Sequence, residues 1–161
     1  MRPAGVALSP WHPAALIATG CGIGHLPGAP GTWASLAALP CGWLIRARWG
    51  IGGLAAAAGA GFVLGCWAAG RVGRASGVAD AGSTVVDEIA GQWLTLLAAP
   101  LHPLAYAAAF GLFRLFDIVK PWPASWIDRR MKGGFGVMLD DAAAAGYAVL
   151  ILLLARALID V

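Results

Sequence analysis

From Pro3 to Ile45 the chain carries no Asp, Glu, Lys or Arg, and Trp49 to Gly70 and Ile89 to Phe113 repeat the pattern. Uncharged apolar runs of about 20 residues are long enough to cross a bilayer core. Lipid offers backbone N–H and C=O groups no partner, so such runs must satisfy their own as helices. The expectation is an all-α fold, a multi-pass membrane helical bundle of about five to six helices, forming one domain over residues 1–161. Charged residues make up 12% of the chain and the mean hydropathy is +0.75; a soluble domain carries about 25% charge. The net charge of +3 does not point to nucleic acid, because the few basic residues stand at the ends of apolar segments, where membrane orientation and anionic head groups place them. Cys21, Cys41 and Cys66 form neither a disulfide framework nor a thiolate metal motif.

Taken in order, Trp11 to Ile23 reads as a first helix at the membrane interface rather than a cleaved leader, since the apolar character continues beyond it. Gly20 to Thr32, GCGIGHLPGAPGT, reads either as a turn between helices or as a re-entrant Gly/Pro loop whose backbone N–H groups, with the Thr32 and Ser35 hydroxyls, approach an anion. Trp33 to Ile45 is the next helix, ended by Arg46 and Arg48, and Ile51 to Ala69 is the cleanest span. Ala57, Gly61, Gly65 and Ala69 give that span a smooth face for close packing, within the bundle or across a homodimer. Arg71 to Gly82 is a polar connection, after which Ser83 or Thr84 is expected to cap a helix. Val85 to Ala99 and Leu104 to Val119 form a helical hairpin around Pro100-Leu101-His102-Pro103, and Pro121 ends its second arm. Lys120 to Gly136 is an interfacial segment with Trp122 and Trp126 at headgroup level, and Val137 to Leu158 is the last span. With Arg46, Arg48 and Arg156 outside, the seven cations Arg71, Arg74, Arg114, Lys120, Arg129, Arg130 and Lys132 fall on the cytoplasmic side, as the positive-inside rule requires.

Against this apolar background two acidic pairs stand out, Asp87-Glu88 and Asp140-Asp141, each at the start of an apolar helix. A carboxylate at mid-bilayer costs about 2.5–3.5 kcal/mol on insertion scales, and like-charged pairs add repulsion. Macrodipole stabilisation in a first helical turn accounts for one such residue; two pairs are better explained as halves of one cation site. Oxygen-only ligation suits Mg²⁺ or Mn²⁺, and no His or Cys cluster invites zinc. The candidate ligands are Asp87, Glu88, Asp117, Asp140 and Asp141. Adjacent side chains diverge by about 100° around a helix, so one of each pair can ligate while the other serves as base or supports the ligand.

Arg114, Lys120, Arg129 and Arg130 interleave with Asp117 and Asp128, and cations beside a metal site fit phosphate recognition. Other phosphatase plans fail on spacing. Cys41 to Arg46 and Cys66 to Arg71 are one residue short of the cysteine-phosphatase loop, and Asp80 to Thr84 puts Gly82 where a general acid would stand. Metal-assisted attack by water is left. The rival reading is a small multi-pass cation transporter or channel subunit using buried carboxylates.

GHLPGAPGTWAS, DAGSTVVDEIAGQW, FRLFDIVKPWPASWIDRR and GGFGVMLDDAAAAG, in that order and spacing, resemble the bacterial phosphatidylglycerophosphatase A family over nearly the whole chain. The resemblance implies an Mg²⁺-dependent inner-membrane enzyme that takes a phospholipid substrate from the bilayer. Its reaction would remove the terminal phosphate of phosphatidylglycerophosphate to leave phosphatidylglycerol. It carries acidic motif roles onto Asp87, Glu88, Asp117, Asp128, Asp140 and Asp141, with Thr32 in the loop and Lys120 and Arg129 as phosphate partners. Asp87, Glu88, Asp140 and Asp141 are the expected catalytic set, acting through water or through an aspartyl-phosphate intermediate.

Overall fold

The computed structural model describes residues 8–77 and 82–159, so Pro3 and Asp80 of the readings above lie outside the described residues. Those described residues form six α-helices and one 3₁₀ turn, with no strand. The helices are α1 (Pro13–Ala18), α2 (Pro30–Ser76), α3 (Val86–Leu96), α4 (Pro103–Val119), α5 (Ala124–Arg130) and α6 (Gly134–Ile159).

α1 starts where His12 Nδ1 accepts from the Ala14 N–H at 3.1 Å and Pro13 takes the first helical position. It stops at Ala18 instead of running to Ile23, because Gly20, Cys21 and Gly22 all adopt positive φ. A 3₁₀ turn, Ile23–His25, follows. α2 then begins at Pro30, inside the segment expected to be loop, and continues past Ala69 to Ser76, where Gly77 (φ 76°) closes it. Gly50 (φ 67°, ψ −168°) breaks it into two arms. At 1.5 Å per residue each arm is about 30 Å or longer, the thickness of a hydrocarbon core. Arg46 does not end the first arm as expected. It lies within it and donates to the Leu96 carbonyl at 2.8 Å and to that of Ala99.

α3 is the hub. The first arm of α2 meets it where Gly42 faces Trp93 and Leu96, the second where Gly61 faces Ala90 and Trp93 and Gly65 faces Val86. Phe113 of α4 and the Asp141 carbonyl of α6 close over Gly91. The small-residue face of the second arm is therefore spent inside the chain, with Met138 of α6 also against Gly65. The expected Ser83 or Thr84 cap is corrected: Val85 precedes the first turn without a side-chain cap bond, and its N–H donates to Ala18 O at 2.8 Å, tying α3 to α1. Polar side chains of α3 also face protein, with Gln92 and Thr95 fully buried, and Thr84 just ahead of the helix is nearly so.

The hairpin forms as expected, with His102 capping α4. Lys120 closes α4 in the left-handed region (φ 46°) rather than the extended one that Pro121 favours. α5 is a helix where only an interfacial segment was expected, and α6 starts at Gly134, three residues before Val137. Phe113 packs under Ala144, Ala145 and Ala148, the alanine run of α6. Two helical stretches, Pro30–Ser76 and Gly134–Leu158, are long and apolar enough to cross a membrane. Both turn large apolar side chains outward, among them Leu44, Trp49, Val63, Leu150 and Leu154.

Candidate active site

The expected acidic pairs meet. The first turn of α3 carries Asp87 and Glu88, and the second turn of α6 brings Asp140 and Asp141 across from it. The end of α4 adds Asp117 and Lys120, and α5 adds Asp128; all seven line one cavity of about 180 Å³. Pro30, Gly31, Thr84, Lys132, Gly133 and Gly136 complete much of the wall. Macrodipole stabilisation explains Asp87 and Glu88 in part, since both sit in a first turn. It does not explain Asp140 and Asp141, because no acid lies in the first turn of α6 and the dipole's influence fades within one turn.

Two cations divide the carboxylates. Arg114 Nη1 lies 2.5 Å from Asp117 Oδ2 and 3.8 Å from Glu88 Oε1. Lys120 Nζ donates to Asp140 Oδ2 and, at 3.3 Å, to Asp128 Oδ1. Burial pushes the Lys120 ammonium down, but the Asp140 carboxylate against it, helped by Asp128, outweighs this and its pKa ends raised. Asp87, Glu88 and Asp141 are left as a trio whose carboxylate oxygens all lie within 4.8 Å of one another. Asp141 is 3% exposed, and Glu88 Oε2, Asp140 Oδ1 and Asp141 Oδ2 are buried acceptors with no hydrogen-bond partner among the described residues.

Buried oxygens without donors are costly, and like charges this close cannot all remain ionised without a counter-ion. Three convergent carboxylates satisfy a hard divalent cation. The residues present thus fit Mg²⁺, with Asp87, Glu88 and Asp141 as its holders.

Not every expected residue reaches the cavity. Ser35 is fully buried and donates to Gly31 O at 2.9 Å, a bond within its own helix. Thr32 is half-buried, Arg129 and Arg130 are exposed, and none of these four is among the lining residues. Arg114 acts from behind, through Glu88 and Asp117. Lys132 is the cation that sequence reading left unassigned: it lines the cavity while its Nζ donates to Asp128 O at 3.0 Å. Nothing in the sequence sets it apart from Arg129 and Arg130 beside it.

Convergent carboxylates, lysines on the same wall and outward-facing apolar helices of membrane length define a helical protein with one acidic, lysine-lined cavity beside its membrane-length helices. A profile of the phosphatidylglycerophosphatase A family matches residues 16–156. The chain is 41% identical over 138 residues to phosphatidylglycerophosphatase A of Escherichia coli strain K12, covering 84% of this chain and 77% of the relative. It is 40% identical over 145 residues to phosphatidylglycerophosphatase A of Haemophilus influenzae, covering 89% and 87%. A Bacteroides thetaiotaomicron protein provisionally described as a phosphatidylinositol-3-phosphatase is 39% identical over 154 residues, covering 88% and 92%. The chain belongs to the phosphatidylglycerophosphatase A family, and so to a family of enzymes. No solved structure matches it.

Proposed function

We propose that the protein hydrolyses the terminal phosphate monoester of phosphatidylglycerophosphate, giving phosphatidylglycerol and phosphate. The observation that carries this reading is the trio Asp87, Glu88 and Asp141, within 4.8 Å, in one cavity with Lys120 and Lys132. The names of the relatives from Escherichia coli and Haemophilus influenzae supply the substrate.

The trio is suited to hold Mg²⁺, which when bound supplies charge for phosphate oxygens and lowers the pKa of a water. Asp140 keeps Oδ2 on Lys120 and has Oδ1 without a partner among the described residues, which supports Oδ1 as the acceptor of the attacking water's proton. The water oxygen bonds to phosphorus and the phosphorus–oxygen bond to the glycerol breaks. The electron pair leaves on that glycerol oxygen, which takes a proton from solvent at the cavity mouth. Lys120 and Lys132 stand beside the phosphoryl oxygens as their negative charge shifts.

The chain is multi-pass in the bacterial inner membrane, with the cavity on the cytoplasmic side. Supporting this are its two membrane-length stretches, the excess of basic residues on the cavity side, and the exposed Trp122 and Trp126 around α5. The test is phosphate release from phosphatidylglycerophosphate by detergent-purified protein, with Mg²⁺ or EDTA, for wild type and Asp141→Asn. Release that needs Mg²⁺ and is lost in the variant is expected. A folded wild type that releases none in Mg²⁺ sinks the substrate reading.

A further inference from the structure

The Gly/Pro loop ends by delivering the first turn of α2 into the cavity, where Pro30 and Gly31 form part of the wall. A methyl group on Gly31 would overlap Glu88 Oε1, stand 2.8 Å from Glu88 Cδ and come within 3.2 Å of Arg114 Nη1. Arg114 Nη1 in turn lies 3.8 Å from the same Glu88 oxygen. The Glu88 carboxylate is thus held between a bare stretch of α2 backbone and a guanidinium, with the positive end of α2's dipole on one side.

Other glycines in the fold are close-packed for a different reason. A methyl on Gly24, Gly134 or Gly136 would strike a backbone oxygen, that of Ser83, Cys66 or Met131. At Gly31 the obstructed atoms belong only to the far ends of two side chains. A substitution there displaces the Glu88 carboxylate and leaves the helices where they are. We infer that Gly31 is a positioning residue, whose missing side chain sets the Glu88 carboxylate within the cation-holding trio. This rests on the metal-dependent reading of that trio.

The test compares Gly31→Ala, Glu88→Asp and the double variant in detergent, by Mn²⁺ titration followed by electron paramagnetic resonance, with Tm measured alongside. Gly31→Ala should weaken Mn²⁺ binding about tenfold or more, the scale for residues that orient a ligand, with Tm within a few degrees of wild type. The double variant should bind no more weakly than Gly31→Ala alone, because the shorter Asp leaves room for the methyl. Wild-type Mn²⁺ affinity in Gly31→Ala, or losses that simply add, overturns the inference. So does a Gly31→Ala protein that unfolds and is not rescued by Glu88→Asp. Absence of Mn²⁺ binding in wild type removes the trio as a cation site and the inference with it. Mn²⁺ binding without release of lipid phosphate removes only the substrate.

Discussion

The Arg114 guanidinium and the Asp117 carboxylate, one turn apart on α4, pair at 2.5 Å behind the cavity, and both are largely buried. Removing one partner of a buried pair leaves the other uncompensated, a loss on the order of 3 kcal/mol. Arg114→Ala is therefore expected to lower Tm and, by also removing the cation 3.8 Å from Glu88, to reduce phosphate release at least tenfold. Arg114→Lys, which keeps the charge but loses the planar guanidinium wedged between the two carboxylates, should recover stability better than activity. Thermal unfolding in detergent beside phosphate release separates the two effects.

The division of carboxylates between cations predicts that Asp117 and Asp141 behave differently although both line the cavity. Asp141→Asn should weaken Mn²⁺ binding by one to two orders of magnitude, while Asp117→Asn, whose partner is Arg114, should leave it within a few-fold. Calorimetric titration on both folded variants decides. Equal losses would place Asp117 among the ligands.

Lys120 sets an alkaline expectation. Its pKa is raised by Asp140 against the opposing effect of burial, so the pair's contribution to stability is fully present below the unfolded lysine value of about 10.4. It is lost only as pH rises through the still higher folded value. Between pH 7 and 10 the pair should stay intact, and Lys120→Arg should leave the shape of the stability profile unchanged there. Lys120→Met, which strands Asp140, should lower Tm across the same range. A wild-type Tm that falls between pH 8 and 9 while that of Lys120→Arg does not would contradict the assignment.

The basic residues around α5 should divide in the same way. Arg129→Ala and Arg130→Ala, both outside the lining, are expected to keep kcat/KM within about threefold of wild type. Lys132→Ala should raise KM for the lipid about tenfold, as for loss of a charged contact worth roughly 1.5 kcal/mol, with partial recovery in Lys132→Arg. Steady-state kinetics in mixed micelles would show the split.

The acidic pairs were legible because charge is conspicuous in an apolar chain, and Asp87 with Glu88 does occupy a first helical turn. Asp140 with Asp141 does not. Gly133 and Gly134 fall in the stretch expected only to be interfacial, whereas Gly134 opens α6 ahead of the pair and packs where a Cβ would hit the Cys66 carbonyl. Packing between distant helices decided that start, and no local pattern expresses it. α5 was hidden for a similar reason, since Pro121 and Pro123 look like breakers although Pro123 serves as a helix-starting residue. The Ser35 hydroxyl, expected near an anion, instead donates to the carbonyl four residues back, a bond that helix geometry makes routine. Lys132 escaped because it differs from its basic neighbours only in where α5 and α6 leave it.

Arg46 reaches from α2 to the carbonyls at the far end of α3, a helix of 11 residues and so about 16 Å long, with the acidic pair at its other end. The Leu96 carbonyl also accepts from the Ala99 N–H at 3.3 Å, whereas that of Ala99, beyond the helix end, takes its bond from Arg46. α3 is thus a strut pinned at both ends, by Arg46 below and by the Val85 to Ala18 hydrogen bond above. Its carboxylates inherit their height from an anchor that never meets the lipid phosphate. A screen for lost activity will accordingly return Arg46 among its hits, and lengthwise slippage of the strut is the defect to look for there.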